Sequence, residues 1–137
     1  MPTAGVAAPM IPAINAAELE RILAAAAAAG AGEAGYVMLR LPLEIRDLFK
    51  EWLLANFPDR YRHVLSLVKE LHGGKEYDAQ FGQRMSGSGP YAWTVARRFE
   101  IATQRLGLNQ RSVRLTTRHF RRPPRRGEQL SLFGEAG

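Results

Sequence analysis

Two short apolar runs, at residues 6–11 and 36–41, flank an alanine-rich stretch that Gly30 closes. Asn15 followed by Glu18 has the spacing of a capping box, so a helix is predicted from there through Ala29. Strand, helix, strand with short joints predicts a βαβ unit, hence parallel strands and a right-handed crossover. From Pro42 the period changes, and Ile45, Leu48, Phe49, Trp52 and Leu53 fall on one face of a second helix. A third stripe, Tyr61, Val64, Leu65, Val68 and Leu71, ends at Gly73. A fourth begins at Pro90, carries Tyr91, Val95, Phe99, Ala102 and Leu106, and stops at Gly107. After Gln110 the composition turns to Arg, Thr and Pro with few apolar anchors, which predicts an irregular arm and tail.

Two parallel strands cannot hide both faces or both edges. The N-terminal part is therefore expected to be marginally stable unless another chain or a further segment completes the sheet.

With 137 residues and 46% apolar content, one packed domain is the default. Cysteine is absent, which excludes disulfides and thiolate metal sites and makes the cytoplasm the expected location. The alanine-rich run falls short of the roughly 20 apolar residues of a membrane span, and the start lacks the basic head of a secretory signal. The formal charge of +6 is unevenly placed: residues 111–126 hold seven arginines and no acid.

Several segments could carry chemistry. Residues 73–90 form a Gly-rich connection between helices, and Lys75, Glu76, Tyr77, Asp78, Gln83 and Arg84 could bind a phosphate or position a substrate. A structural loop packed on Tyr77, Phe81 and Met85 is the competing reading. His63, His72 and His119 are too scattered for a metal site and are read as surface or helix-end residues. Arg114, Arg118, Arg121, Arg122, Arg125 and Arg126, with His119 and Phe120, could neutralise phosphates and stack a base, giving salt-dependent binding of DNA. A solvated basic tail has the same composition.

Five segments in order, APMIPAIN (8–15), YVMLRLPLE (36–44), the loop from Gly73 to Ala92, GLN (107–109) and QLSLF (129–133), resemble the C-terminal region of bacterial radical S-adenosylmethionine proteins of the photolyase-like family, related to spore photoproduct lyase. The resemblance covers nearly the whole chain. It implies an α/β fold in which residues 1–57 are the last β/α units of a partial (β/α) barrel, 58–110 a helical extension, and 111–137 a basic arm and tail. It also implies S-adenosylmethionine and an iron–sulfur cluster of the 4Fe-4S type in the intact protein, with a lyase-like DNA-repair chemistry. Family members hold that cluster on a Cys-xxx-Cys-xx-Cys loop, and this chain has no cysteine to offer. The missing N-terminal barrel half becomes an expected partner, and the chain alone is expected to be inactive.

On the same resemblance Met10, Pro12, Leu39 and Arg40 fall in the cofactor region. Arg40 also stands where a barrel strand ends, the position at which active sites form, although a salt bridge to an acid such as Glu44 is the plainer reading. Asn15 is either a helix cap or a polar cofactor contact.

The terminal Gln129-Leu130-Ser131-Leu132-Phe133 resembles the peptide by which bacterial replication and repair proteins dock on the DNA sliding clamp. Gln129 would meet a polar rim, Leu132 and Phe133 would fill an apolar pocket, and Leu130 counts with them as a clamp-binding residue, at roughly micromolar affinity, about −8 kcal/mol. A non-catalytic adaptor for DNA and clamp is therefore the alternative function.

Overall fold

The computed structural model describes residues 2–74, 85–111, 116–123 and 127. Among them are two parallel strands and four α-helices, in the order β1 (Ala4–Met10), α1 (Leu19–Ala28), β2 (Glu33–Met38), α2 (Leu43–Asn56), α3 (Tyr61–Leu71) and α4 (Gly89–Leu106). The chain is thus mixed α/β, with the parallel pairing that the βαβ pattern demands. β1 and β2 run in register from Ala4 opposite Glu33 to Ala7 opposite Tyr36, then shift before Met10 meets Met38.

The second strand lies about three residues earlier than its hydropathy suggests. The reason is that the run at 36–41 serves two cores. Met38 belongs to the core between the sheet, α1 and α4, whereas Leu39 and Leu41 turn into a second core with Leu53, Val64 and Val68. A ladder cannot continue through a segment that must change sides.

Helix α1 opens differently from a capping box. A short 3-10 turn, Ala16–Glu18, precedes it, and the Asn15 side chain makes no capping bond. Instead Asn15 Oδ1 accepts from the Ile11 N–H at 2.6 Å and Asn15 Nδ2 donates to the Pro9 carbonyl at 3.0 Å. The amide thus closes the turn after β1, satisfying backbone groups that would otherwise be left unpaired. At the other end Gly30, with φ +95°, stops the helix as predicted.

Leu19 and Leu23 of α1 and Ala92, Val95 and Ala102 of α4 share one core with Ala7, Met10 and Met38. That core spans both the βαβ unit and the helical extension. The backbone of β1 comes close to α1: a Cβ built on Gly5 would stand 2.9 Å from the Ala26 Cβ. Tyr36 packs against Phe99 with ring centroids 4.8 Å apart and the planes tilted by 51°, and burial pushes its phenol pKa upward.

Helices α1 and α4 are also clamped by a two-pronged ion pair. Arg98 Nε donates to Glu20 Oε1 at 2.7 Å and Arg98 Nη2 to Glu20 Oε2 at 2.5 Å. The hydrogen bonds from Arg98 hold the Glu20 carboxyl below the usual glutamate range, and Glu20 raises the guanidinium in turn. A depressed carboxyl stabilises the fold fully above the unfolded value of roughly pH 4.3, and that contribution is lost as pH falls through the lower folded value. Both side chains are about one-third exposed, so solvent screening limits the pair to about 1 kcal/mol. Glu20→Gln is expected to lower unfolding free energy by about that amount near neutral pH, and by less at pH values where Glu20 is already protonated. Urea melts at the two pH values check this; equal losses would contradict the assignment.

Helix α2 departs from expectation. Leu53 is buried and Phe49 packs on the second core, but Ile45, Leu48 and Trp52 remain exposed. Of these, Trp52 still lies against Phe49 and Phe57, with ring centroids 5.8 and 5.5 Å away.

Among the described residues only one face of the sheet is well covered. Gly5 and Ala34, then Ala7 and Tyr36, point toward α1 and α4. Ala4, Val6 and Ala8 of β1 with Gly35 and Val37 of β2 share the opposite face by register, and Val6 is 64% exposed there. Parallel sheets ordinarily bury both faces. No described helix is long and apolar enough to cross a membrane.

Candidate ligand cleft

At the C-terminal ends of the two strands an open cleft of about 460 Å³ is formed by Ala8 and Pro9 of β1, Val37 to Arg40 at the end of β2, Pro42 and Ile45 entering α2, and Met85. Its origin is the switch described above. Leu39 and Leu41 turn toward α2 and α3, and a space is left between the sheet and the start of α2. The wall opposite is fixed by Met85, whose carbonyl accepts from the Met38 N–H at 2.8 Å.

Below this wall hydrogen bonds tie the strand ends and α3 together. The Leu39 N–H donates to the Met10 carbonyl at 3.0 Å, and His72 Nε2 lies 3.2 Å from the Leu39 carbonyl. His72 is at the helix end, as read from the sequence, but it is 2% exposed rather than on the surface. A carbonyl offers no proton, so this contact needs the hydrogen on Nε2. The signal was present, since His72 follows Val68 by four residues on the buried stripe. His63 and His119 are exposed.

Arg40 lines the cleft and forms no ion pair with Glu44 or any other described residue. Among the described residues it is the one charged side chain on a wall otherwise built of Ala, Pro, Val, Met, Leu and Ile. Leu39 also lines it. Met10, Pro12 and Asn15 are placed elsewhere: Met10 and Pro12 are fully buried, and the Asn15 amide is engaged by Pro9 and Ile11. The structure therefore brings two of the five residues together at a surface that a ligand could reach.

A second cleft of about 320 Å³ opens at the other end of the sheet between Thr3, Gly30, Gly32, Glu33, Gly107 and Arg111. Beside it the turn Gly107-Leu108-Asn109 clasps the edge of β2. Asn109 Oδ1 accepts from the Ala34 N–H at 2.8 Å, Nδ2 donates to the Ala34 carbonyl at 3.0 Å, and the Asn109 N–H donates to the Gly32 carbonyl at 3.0 Å. One side-chain amide thus replaces a paired strand residue, a role that the sequence did not reveal.

Of the predicted nucleic-acid contacts, Arg118, Arg121 and Arg122 are exposed. Arg114, Arg125 and Arg126 lie outside the described residues, as do the loop positions 75–84 and the clamp-type residues Gln129, Leu130, Leu132 and Phe133. Among the described residues no group of three His, Cys, Asp or Glu could hold a metal ion.

Comparison with known protein families, curated proteins and solved structures returned no match.

Proposed function

We propose that this chain is the C-terminal portion of a radical S-adenosylmethionine protein of the photolyase-like kind, inactive by itself, in which residues 1–57 contribute the last units of a barrel. The observation that carries the reading is the half-covered parallel sheet. Its less covered face, on which Ala4, Val6 and Ala8 are exposed and Glu33, Gly35 and Val37 half-buried, and the far edge of β1 are what preceding β/α units would cover. The cleft lies at the C-terminal ends of the strands, where β/α folds bind their ligands. The ordered series of motifs points the same way.

The two implied groups fit this chain unequally. A 4Fe-4S cluster does not fit, because it needs thiolates and the chain has none. S-adenosylmethionine suits the open cleft: Arg40 would meet its carboxylate and the apolar wall around Leu39 would flank its adenine. What that molecule supplies when bound is an adenosyl group on a sulfonium centre; the chain's own residues hold and orient it.

The test is the mass and peptide map of the native product. A polypeptide much larger than 15.2 kDa that carries a Cys-xxx-Cys-xx-Cys segment ahead of these residues supports the reading. A product of 15.2 kDa, with a stable monomeric fold, overturns it.

A further inference from the structure

The arginine arm contains a feature that composition alone does not. Between Glu100 and Glu128 there is no acidic residue, and all eight cationic side chains are arginine, none lysine. Arginine prevails over lysine along the whole chain, so what singles out this segment is the arrangement of its residues. Arginine differs from lysine in its planar fork, which takes phosphate oxygens in pairs and lies flat on a base. Within this segment residues 116–123 are placed. The Phe120 N–H donates to the Thr117 carbonyl at 2.9 Å, and the Arg118 N–H donates to Thr116 Oγ1 at 3.2 Å. These two bonds close a turn with Arg118 and His119 at its corner and Phe120 directly after it.

Phe120 is 72% exposed, higher than any other large apolar side chain recorded as exposed. Arg118 stands two residues before it and Arg121 and Arg122 follow it, all exposed. Pro123 then fixes the backbone and keeps the turn from winding into a helix. An aromatic ring held in water with guanidinium groups on both sides is a stacking platform beside phosphate contacts.

We propose that the 116–123 turn binds single-stranded nucleic acid, with an unpaired base stacked on Phe120 and the flanking phosphates held by Arg118 and Arg121. Single strands are specified because a duplex keeps its base faces stacked on one another and offers none to Phe120. The chemistry is shared by DNA and RNA, and the inference does not depend on the enzyme reading.

Fluorescence anisotropy of the whole chain with labelled 20-nucleotide oligo-dT, oligo-rU and a mixed-sequence duplex decides the matter. Tighter binding of either single strand than of the duplex is expected, and the tighter of the two names the natural source. Phe120→Ala should weaken single-strand binding about tenfold, Phe120→Trp should retain it, and Phe120→Leu should not rescue it. Arg118→Ala and Arg121→Ala should each reduce the slope of log affinity against log salt by about 0.7. The side chains are exposed, so folding is not at stake and circular dichroism should be unchanged. Duplex binding equal to or tighter than single-strand binding, or a Phe120→Ala effect within twofold, overturns the proposal.

Discussion

Gly87→Val is expected to cost about 3 kcal/mol or more and to leave the chain largely unfolded if its stability is at the low end for a domain of this size. Gly87 has φ +74°, a conformation that a β-branched residue adopts only with strain. Space is lacking as well. A Cβ there would lie 2.9 Å from Leu71 Cδ2 and 3.3 Å from both the Leu71 Cβ and its carbonyl oxygen. Leu71 cannot give way easily: its side chain is 1% exposed in the main core, and its carbonyl accepts from the Ser88 N–H at 2.9 Å and Ser88 Oγ at 3.3 Å. This is the seam where the chain returns from the Gly-rich connection to α4, so a shift there pulls α3 and α4 apart. Urea unfolding of Gly87→Ala, Gly87→Val, Leu71→Ala and the Gly87→Val/Leu71→Ala double variant separates the two causes. If the clash dominates, the double variant loses less than the sum of the single losses. A Gly87→Val loss below about 1 kcal/mol would mean that the seam is looser than the contacts imply.

Asn109→Ala is the second large effect, about 2 kcal/mol. Two hydrogen bonds to Ala34 disappear, each worth about 1 kcal/mol net. Alanine is also less at ease than asparagine at φ +59°. Asn109→Gly keeps the backbone freedom and loses only the clasp, so it should cost less than Asn109→Ala. Asn109→Asp keeps an acceptor for the Ala34 N–H but sets a carboxylate oxygen against the Ala34 carbonyl, and should recover little. Hydrogen exchange of the Ala34 amide reports the clasp directly: it should speed up in all three variants. Protection unchanged in Asn109→Ala would show that Ala34 has another partner and that the turn is held by Leu108, which is buried, instead.

The uncovered surfaces connect fold to function. The less covered sheet face, the far edge of β1 and the exposed Ile45, Leu48 and Trp52 of α2 lie around or beside the same cleft, since Ala8, Val37 and Ile45 line it. Among the described residues the cleft has mostly apolar walls and one charged group, Arg40, which is compatible with the proposal that a covering polypeptide would supply the other side of a ligand site. On the proposed reading the chemistry would lie between this chain and a covering polypeptide, whereas the proposed nucleic-acid contacts would come from residues 116–123 of this chain.

Much of this was legible in the residues themselves. Period and punctuation placed all four helices: the Val64, Val68 and Leu71 stripe is buried as predicted, and Gly30, Gly73 and Gly107 end their helices at positive φ. The parallel pairing followed from strand, helix and strand, because no short turn joins parallel neighbours. The lack of cysteine fixed in advance that the chain holds no thiolate cluster. What the residues could not specify was which of two cores an apolar residue joins. The 36–41 run divides between them at Leu39, the Asn15 amide goes back to β1 instead of forward to its helix, and Met10 and Pro12 are buried instead of lining the cleft. Local pattern reports that a side chain avoids water or can accept a hydrogen bond; it does not report the partner. Those partners, Asn109 with Ala34, Met85 with Met38 and His72 with Leu39, are 75, 47 and 33 positions apart, and only the packing of the helices on the sheet brings them together.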